Sequence, residues 1–220
     1  PRSASSGART LPRTPVLAPI LARSVLGGKK SGRGELPTTR LRVENVRIDR
    51  DHLTDYERLC GFTVDDVLPH TYPHVLGFGL QAELMARRSF PLPLAGLVHI
   101  ENEITVRRRL TAQDELTLTV HAERMRAHPK GTQVDLVTEV TVDGESAWSG
   151  RSTYLKRGKG DPEAERGAAA PPMPTKWIVP ISVPIAFMRA LPWQNSVQAR
   201  HQPGRRRAAM RRRQCVRRGR

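Results

Sequence analysis

Apolar and polar residues alternate through most of residues 97–160. Alternation over about four to eight residues is typical of a strand with one buried face. Short turn regions divide the stretch, so the pattern predicts four consecutive antiparallel strands. Asp143 and Gly144 stand between two alternating runs, and both residue types tolerate the positive φ that a two-residue hairpin turn requires.

The alternation also assigns side chains to the two faces of this sheet. In the first run we place Val98 and Ile104 on the apolar face and His99 on the polar face, as an exposed cross-strand partner. In the last run Trp148 and Tyr154 fall on one face. A sheet with one apolar face has to bury it against another element.

A helix of suitable size is predicted within the letters LGFGLQAELMARRSF. Leu76, Leu80 and Leu84 recur at four-residue spacing, and Pro91 follows the run. Residues 63–73 ahead of it predict a loop, because proline lacks an N–H donor and disfavours helix in the preceding residue. The sequence therefore predicts an α+β fold in which a curved antiparallel sheet wraps around one central helix.

Further elements are predicted before this helix. Residues 16–26 predict a short amphipathic helix, and residues 41–48 predict a strand. A helix follows in the letters HLTDYERLCGF, where Asp49 can cap the first turn and Gly61 can end the last turn in a left-handed conformation.

The net charge of +16 comes from the two ends of the chain. Residues 1–40 carry +7, residues 167–220 carry +12, and the middle carries −3. The arginine-rich end has no interleaved aromatic residues, so no specific nucleic-acid partner is predicted. Cys60 and Cys215 show no disulfide or metal-site spacing, which favours a reducing cytoplasm. No apolar run is long enough to predict a membrane span.

Composition divides the chain into four parts. Residues 1–35 are expected to be a flexible lead-in, although their arginine and serine content also suits a signal or transit peptide. Residues 36–160 form the predicted domain, and residues 161–177 form a Pro/Ala linker. Residues 178–220 contain no acidic residue, so we expect an arginine-rich tail that is disordered or translated out of frame.

Four segments resemble the MaoC-like acyl dehydratases and the R-specific enoyl-CoA hydratases of type 2. They are DHLTDYERLCGF, LPHTYPHVLGFGLQ, FPLPLAGLVHIENEITVRRRLTAQDEL and STYLKRGKG. The resemblance covers residues 36–160 and implies the hot-dog fold. Within double hot-dog members of the family, the chain is similar to the N-terminal, non-catalytic repeat.

The resemblance implies a 3-hydroxyacyl-thioester dehydratase or enoyl-CoA hydratase. Such an enzyme is a hydro-lyase, which is a lyase, and acts in fatty acid metabolism. It adds water reversibly to enoyl thioesters and needs no metal or redox cofactor. The implied partners are a thioester of CoA or acyl carrier protein and a second hot-dog domain, in a homodimer or a pair with a catalytic repeat. The alternative is a non-catalytic hot-dog protein that binds acyl thioesters or assembles with an active subunit.

The chain departs from this family at the catalytic motif. Catalytic repeats carry Ser-Gly-Asp followed by Asn-Pro and His, and the aspartate and histidine activate water. This chain reads LCGFTVDDVLPHTYPH, with Phe62 in place of the aspartate and no Asn-Pro-His unit. The catalytic residues are therefore unknown, and the resemblance implies a repeat that encloses the substrate.

Five residues are candidates for substrate binding because they could line an acyl tunnel: Tyr72, His74, Phe78, Leu80 and Met85. Packing in an ordinary core explains them equally well.

The residues that could perform acid–base chemistry are in the loop ahead of the central helix. Asp65, Asp66, His70 and His74 are concentrated there, and hydration needs one group to remove a proton and another to supply one. Spacing alone is weak support for such a role. We interpret these four as solvated loop residues.

Overall fold

The computed structural model describes residues 7–26, 34–164 and 197–201. These residues form three helices and seven strands: β1 (Ala8–Thr10), α1 (Leu17–Leu26), β2 (Arg40–Val46), α2 (Arg50–Cys60), α3 (Tyr72–Ala86), β3 (Leu97–Val106), β4 (Leu116–His128), β5 (Gly131–Val142), β6 (Glu145–Arg157) and β7 (Val197–His201). Most of the predicted linker and tail lies outside the described residues.

All seven strands belong to one sheet, in the order β1-β2-β4-β5-β6-β3-β7. The five inner strands pair antiparallel, which confirms the four consecutive strands predicted over residues 97–160. The outer strands β1 and β7 pair parallel to β2 and β3. β7 lies within residues 178–220, of which the structure describes residues 197–201.

Helix α3 is the central element, and the sheet curves around it. Leu80, Leu84 and Met85 are 0% exposed and belong to the same core as the inward-facing residues Leu118 and Leu136 of β4 and β5. The apolar face of the strands and the apolar helix thus bury each other. This arrangement is the hot-dog fold that the resemblance implies.

Helix α3 begins earlier than the sequence predicts, at Tyr72. Pro73 lies in the first turn, where a helix has no use for the missing N–H, so this proline starts the helix and does not exclude it. His74 is therefore a helical residue, 2% exposed, and the prediction of a solvated loop residue is wrong at this position.

Helix α2 is capped as predicted. The Asp49 side chain accepts hydrogen bonds from the backbone N–H groups of Asp51 and His52. Gly61 ends the helix with φ 73°, in the left-handed region that glycine enters without a Cβ clash. The two caps fix the position of His52, which points toward α3.

A β-bulge in β3 overturns the predicted position of His99. The pairing with β6 shifts between His99, opposite Tyr154, and Glu101, opposite Thr153. The extra residue reverses the alternation, so His99 faces inward and is 6% exposed, whereas Val98 is 39% exposed. His99 is therefore buried on the face that carries the core, and the prediction of an exposed cross-strand partner is wrong.

The lead-in folds onto the domain in its described part. Leu11 donates its N–H to the carbonyl of Arg42 at 2.7 Å, and Ile20 of α1 is 3% exposed. We expected residues 1–35 to be flexible, whereas residues 8–10 extend the sheet and α1 contacts α3. In the described part of the chain, none of the helices has both the length and the apolar character needed to cross a bilayer.

We predict that Gly144→Ala lowers the free energy of unfolding by about 1 kcal/mol, because an alanine at this position needs the left-handed conformation. Asp143 and Gly144 have φ 52° and 81°, as the predicted hairpin turn requires. A Cβ at Gly144 would meet no atom within 4 Å, so the loss would come from the backbone alone. Urea unfolding measures it.

Gly158→Ala is the matched control. A Cβ at Gly158 would also meet no atom within 4 Å, and the φ of this glycine lies outside the left-handed region. Its substitution should leave the urea midpoint unchanged or raise it slightly. Equal midpoints for the two variants would contradict the assignment of the turn.

Candidate functional site

A cluster of polar side chains is buried between α3 and the inner face of the sheet. Its members come from α3, β3, β5 and β6 and are all 6% exposed or less: His74, Gln81, His99, Asn102, Thr138, Ser152 and Tyr154. Gln81 connects the helix to two strands, because its Nε2 donates to Thr138 Oγ1 at 2.9 Å and its Oε1 accepts from the Tyr154 hydroxyl at 2.7 Å. These bonds allow polar groups in an otherwise apolar core.

Ser152 occupies the centre of the cluster. Its hydroxyl donates to Asn102 Oδ1 at 3.3 Å and lies 3.4 Å from His74 Nδ1. Gln81 Nε2 lies 3.4 Å from the same oxygen. One small hydroxyl thus links the first turn of α3 to β3 and β6.

The rings of His74, His99 and Tyr154 form a stack. The centroids of His74 and His99 are 5.5 Å apart with an interplanar angle of 19°, and those of His99 and Tyr154 are 4.8 Å apart at 22°. Burial lowers the pKa of His74 to about 3, with a smaller effect from the charge of His99. Burial also lowers the pKa of His99 to about 4, slightly offset by the main chain of Glu101. Both imidazoles are neutral at physiological pH.

Some polar atoms of the cluster lack a hydrogen-bond partner among the described residues. They are Nε2 of His74 and Nδ2 of Asn102. A buried polar atom without a partner lowers stability by roughly 1–3 kcal/mol. The cluster therefore has unused capacity for hydrogen bonds with neutral groups.

A cavity of about 380 Å³ lies next to this cluster, between the lead-in, α2 and α3. Its lining is polar near the start of α3, where it includes Asp49, His52 and the Tyr72 side chain, and apolar farther along the helix, where it includes Leu76 and Phe78. His74 lines the cavity between these two ends. The cavity therefore suits a molecule with one polar end and one apolar end.

The polar end contains a short contact between two rings. The Tyr72 hydroxyl lies 2.7 Å from Nδ1 of His52. Burial raises the pKa of Tyr72 above its ordinary value, and the charges of Asp49 and Glu57 raise it further. Tyr72 therefore keeps its proton.

A second cavity, of about 480 Å³, lies beside the loop ahead of α3. Asp65, His70 and Phe62 line it. The Phe62 ring stacks on Tyr56, with centroids 6.1 Å apart at 21°, and His70 is exposed. Phe62, which the resemblance matches to the aspartate of catalytic repeats, is thus an aromatic ring that packs against α2.

Asp66 has a structural partner. Its carboxylate accepts hydrogen bonds from Arg50 and from Gln113 Nε2. The hydrogen bond from Arg50 is the largest of the effects that lower the pKa of this exposed carboxyl group. A carboxylate held in its charged form by an arginine is a weak base. The same contact with Arg50 joins the loop to α2.

The structure separates the five predicted substrate-binding residues into two groups. Tyr72, His74 and Phe78 line the 380 Å³ cavity. Leu80 and Met85 do not line it and are packed in the core. The sequence interpretation also missed cluster members such as Gln81 and Ser152. Their signal was a polar residue at a position that helical or strand periodicity assigns to the core face.

The curved sheet, the central helix and the site at their contact define a hot-dog protein, and comparison with known proteins specifies its family. The 3-hydroxyacyl-thioester dehydratase X of Mycobacterium tuberculosis is 32% identical over 158 residues, which are 72% of this chain and 55% of that protein. The chain belongs to the MaoC-like hot-dog family of dehydratases and hydratases. No family model matches the chain.

Two crystal structures of the same Mycobacterium tuberculosis protein, HtdX, resemble the fold. One has a TM-score of 0.52 and 34% identity and covers 54% of this chain and 51% of that chain. The other has a TM-score of 0.51 and 32% identity and covers 58% and 52%. The chain thus spans about half the length of these relatives.

We predict that the free energy of unfolding falls as the pH is lowered from about 6.5 to about 4. A histidine with a lowered pKa in the folded state contributes its full stability above the unfolded pKa of about 6.5 and loses it as the pH falls toward the folded pKa. His74 and His99 both have lowered pKa values. Each can contribute a slope of up to about 1.4 kcal/mol per pH unit.

His99→Phe should reduce this slope by about the share of one histidine, because phenylalanine keeps the stack on Tyr154 and cannot titrate. Urea unfolding at a series of pH values provides the measurement. His70→Ala, in the exposed loop, is the control and should keep the full slope. An unchanged slope in His99→Phe would show that His99 titrates normally.

Proposed function

We propose that this chain is the substrate-enclosing hot-dog repeat of a 3-hydroxyacyl-thioester dehydratase or enoyl-CoA hydratase. The observation that carries the proposal is the 380 Å³ cavity with a polar and an apolar end. An acyl thioester has the same distribution of polar and apolar groups, with a polar thioester carbonyl at one end of a hydrocarbon chain. The membership of the family supports a ligand of this class.

In this proposal the ligand lies along α3. The thioester carbonyl accepts a hydrogen bond near the start of the helix, where Tyr72, His52 and His74 line the cavity. The hydrocarbon chain contacts Leu76 and Phe78. Tyr72, His74 and Phe78 are then the substrate-binding residues, and Leu80 and Met85 support the helix from the core side.

The reaction itself requires groups that this repeat does not bring together. Hydration forms a bond between a water oxygen and the β-carbon of the enoyl thioester and places a proton on the α-carbon, so a base must take a proton from water. Phe62 stands where catalytic repeats have the aspartate. His74 is neutral and, with a pKa of about 3, is too weak a base for this step. We infer that turnover needs a second, catalytic repeat.

The alternative is a non-catalytic protein that binds acyl thioesters or assembles with an active subunit. A neutral His74 that is too weak a base for the reaction also supports this alternative. A second hot-dog domain is the proposed partner, either another copy of this chain or a catalytic repeat. CoA and acyl carrier protein are the proposed carriers of the acyl group. We assign the protein to fatty acid metabolism in the cytoplasm.

We predict that the purified chain binds octanoyl-CoA and does not consume octenoyl-CoA. Calorimetric titration measures binding, and loss of the enoyl-thioester absorbance measures turnover. Phe78→Ala should weaken binding about tenfold, because the lost apolar contact is worth about 1.4 kcal/mol. Val64→Ala is the control, since Val64 is 52% exposed on the loop.

The outcomes separate the two functions. Turnover by the chain alone would overturn the inference that it is catalytically incomplete. Absence of binding in the wild type, or equal affinity in Phe78→Ala and the wild type, would contradict the assignment of the cavity. Binding that acquires turnover only after a catalytic repeat is added would support the substrate-enclosing role.

A further inference from the structure

The segment that follows β1 and runs to the first residue of α1 crosses the central helix. We call residues 11–17 the strap. At one end, the strap is held by the hydrogen bond from Leu11 N–H to the Arg42 carbonyl. At the other end it continues into α1, where Ile20 is buried and Arg23 forms an ion pair of 2.8 Å with Glu83 of α3. Both ends of the strap are thus attached to the domain.

The strap approaches α3 at Gly79 as closely as the backbone allows. A Cβ on Gly79 would lie 2.4 Å from the carbonyl oxygen of Pro15 and 3.1 Å from Cγ2 of Thr14. Cβ atoms essentially never lie within 3.0 Å of another atom. Only glycine at this position permits the observed contact.

The same strap residues form a wall of the 380 Å³ cavity. Thr14, Pro15 and Leu17 line it from one side, and Leu76 and Phe78 line it from α3. Gly79 lies seven residues after Tyr72, which is about 10 Å along a helix axis. The strap therefore lines the cavity at its apolar end, away from the polar groups at Tyr72.

We propose that the strap determines which acyl chain lengths the cavity accepts, with Gly79 fixing its position and Leu17 its inner surface. This inference rests on the proposed function, since it assigns the cavity to the acyl chain of a thioester. With the thioester at the polar end, the terminal carbons of the chain reach the strap. A chain that extends past Gly79 has to displace Pro15.

Gly79→Ala tests the position of the strap. Alanine is a better helix former than glycine, so α3 keeps its own stability and the contacts with Thr14 and Pro15 of the strap are affected. The new methyl group should push the strap away and lengthen the cavity. We expect the affinity for hexadecanoyl-CoA relative to octanoyl-CoA to rise about fivefold or more over that of the wild type, measured by calorimetric titration.

Leu17→Trp tests the inner surface in the opposite direction. The larger side chain should shorten the cavity, so that the affinity for octanoyl-CoA falls at least fivefold and the affinity for butanoyl-CoA changes little. Val16→Ala is the matched control, since Val16 is 63% exposed on the same strap. Its chain-length profile should equal that of the wild type.

The binding measurements distinguish a wrong role for the strap from a wrong proposed function. If the wild type binds none of the acyl-CoA thioesters, the assigned function is wrong and the role of the strap falls with it. If the wild type binds them and both Gly79→Ala and Leu17→Trp keep its chain-length profile, only the role of the strap is wrong. Circular dichroism checks folding, and Leu17→Trp gives an independent reading if Gly79→Ala does not fold.

Discussion

The burial of α3 in the concave face of the sheet is the constraint on which the rest of the structure depends. Ten of its 15 residues are buried, and the inward-facing leucines and valines of β4 and β5 are buried with it in a single core. The five inner antiparallel strands can curve around one helix because each pairs with a neighbour in the sheet, so few of their backbone groups are left unpaired. A helix enclosed to this extent has almost no surface on which a polar side chain could meet water.

The enclosure explains why α3 has glycines on two sides. Gly77 and Gly79 are two residues apart, which corresponds to about 200° around the helix axis. A Cβ at Gly77 would lie 2.7 Å from Thr138 of β5, and one at Gly79 would lie 2.4 Å from Pro15. The first glycine lets the sheet approach the helix, and the second lets the strap approach from the other side. The helix is thus packed between the two, with the cavity at its edge.

The sequence predicts the elements well because their signals are local. Alternation identifies the four strands, and Asp49 and Gly61 identify both ends of α2. The position of His99 could not be predicted, because the bulge that turns it inward depends on pairing with β6 residues far along the chain. For the same reason the hydrogen bond between Gln81 and Thr138, 57 residues apart, and the packing of the strap on Gly79 leave no trace in local periodicity.

The same packing sets the protonation state of the two buried histidines. An imidazole that acts as a base at physiological pH needs a pKa near that pH, which requires either solvent or a nearby carboxylate. Among the described residues His74 has neither: its Nδ1 faces the Ser152 hydroxyl, its ring lies against His99, and burial lowers its pKa to about 3. In a neutral state a protonated ring nitrogen can still donate one hydrogen bond to an uncharged carbonyl. The packing that buries α3 in the core therefore also keeps His74 from acting as a base.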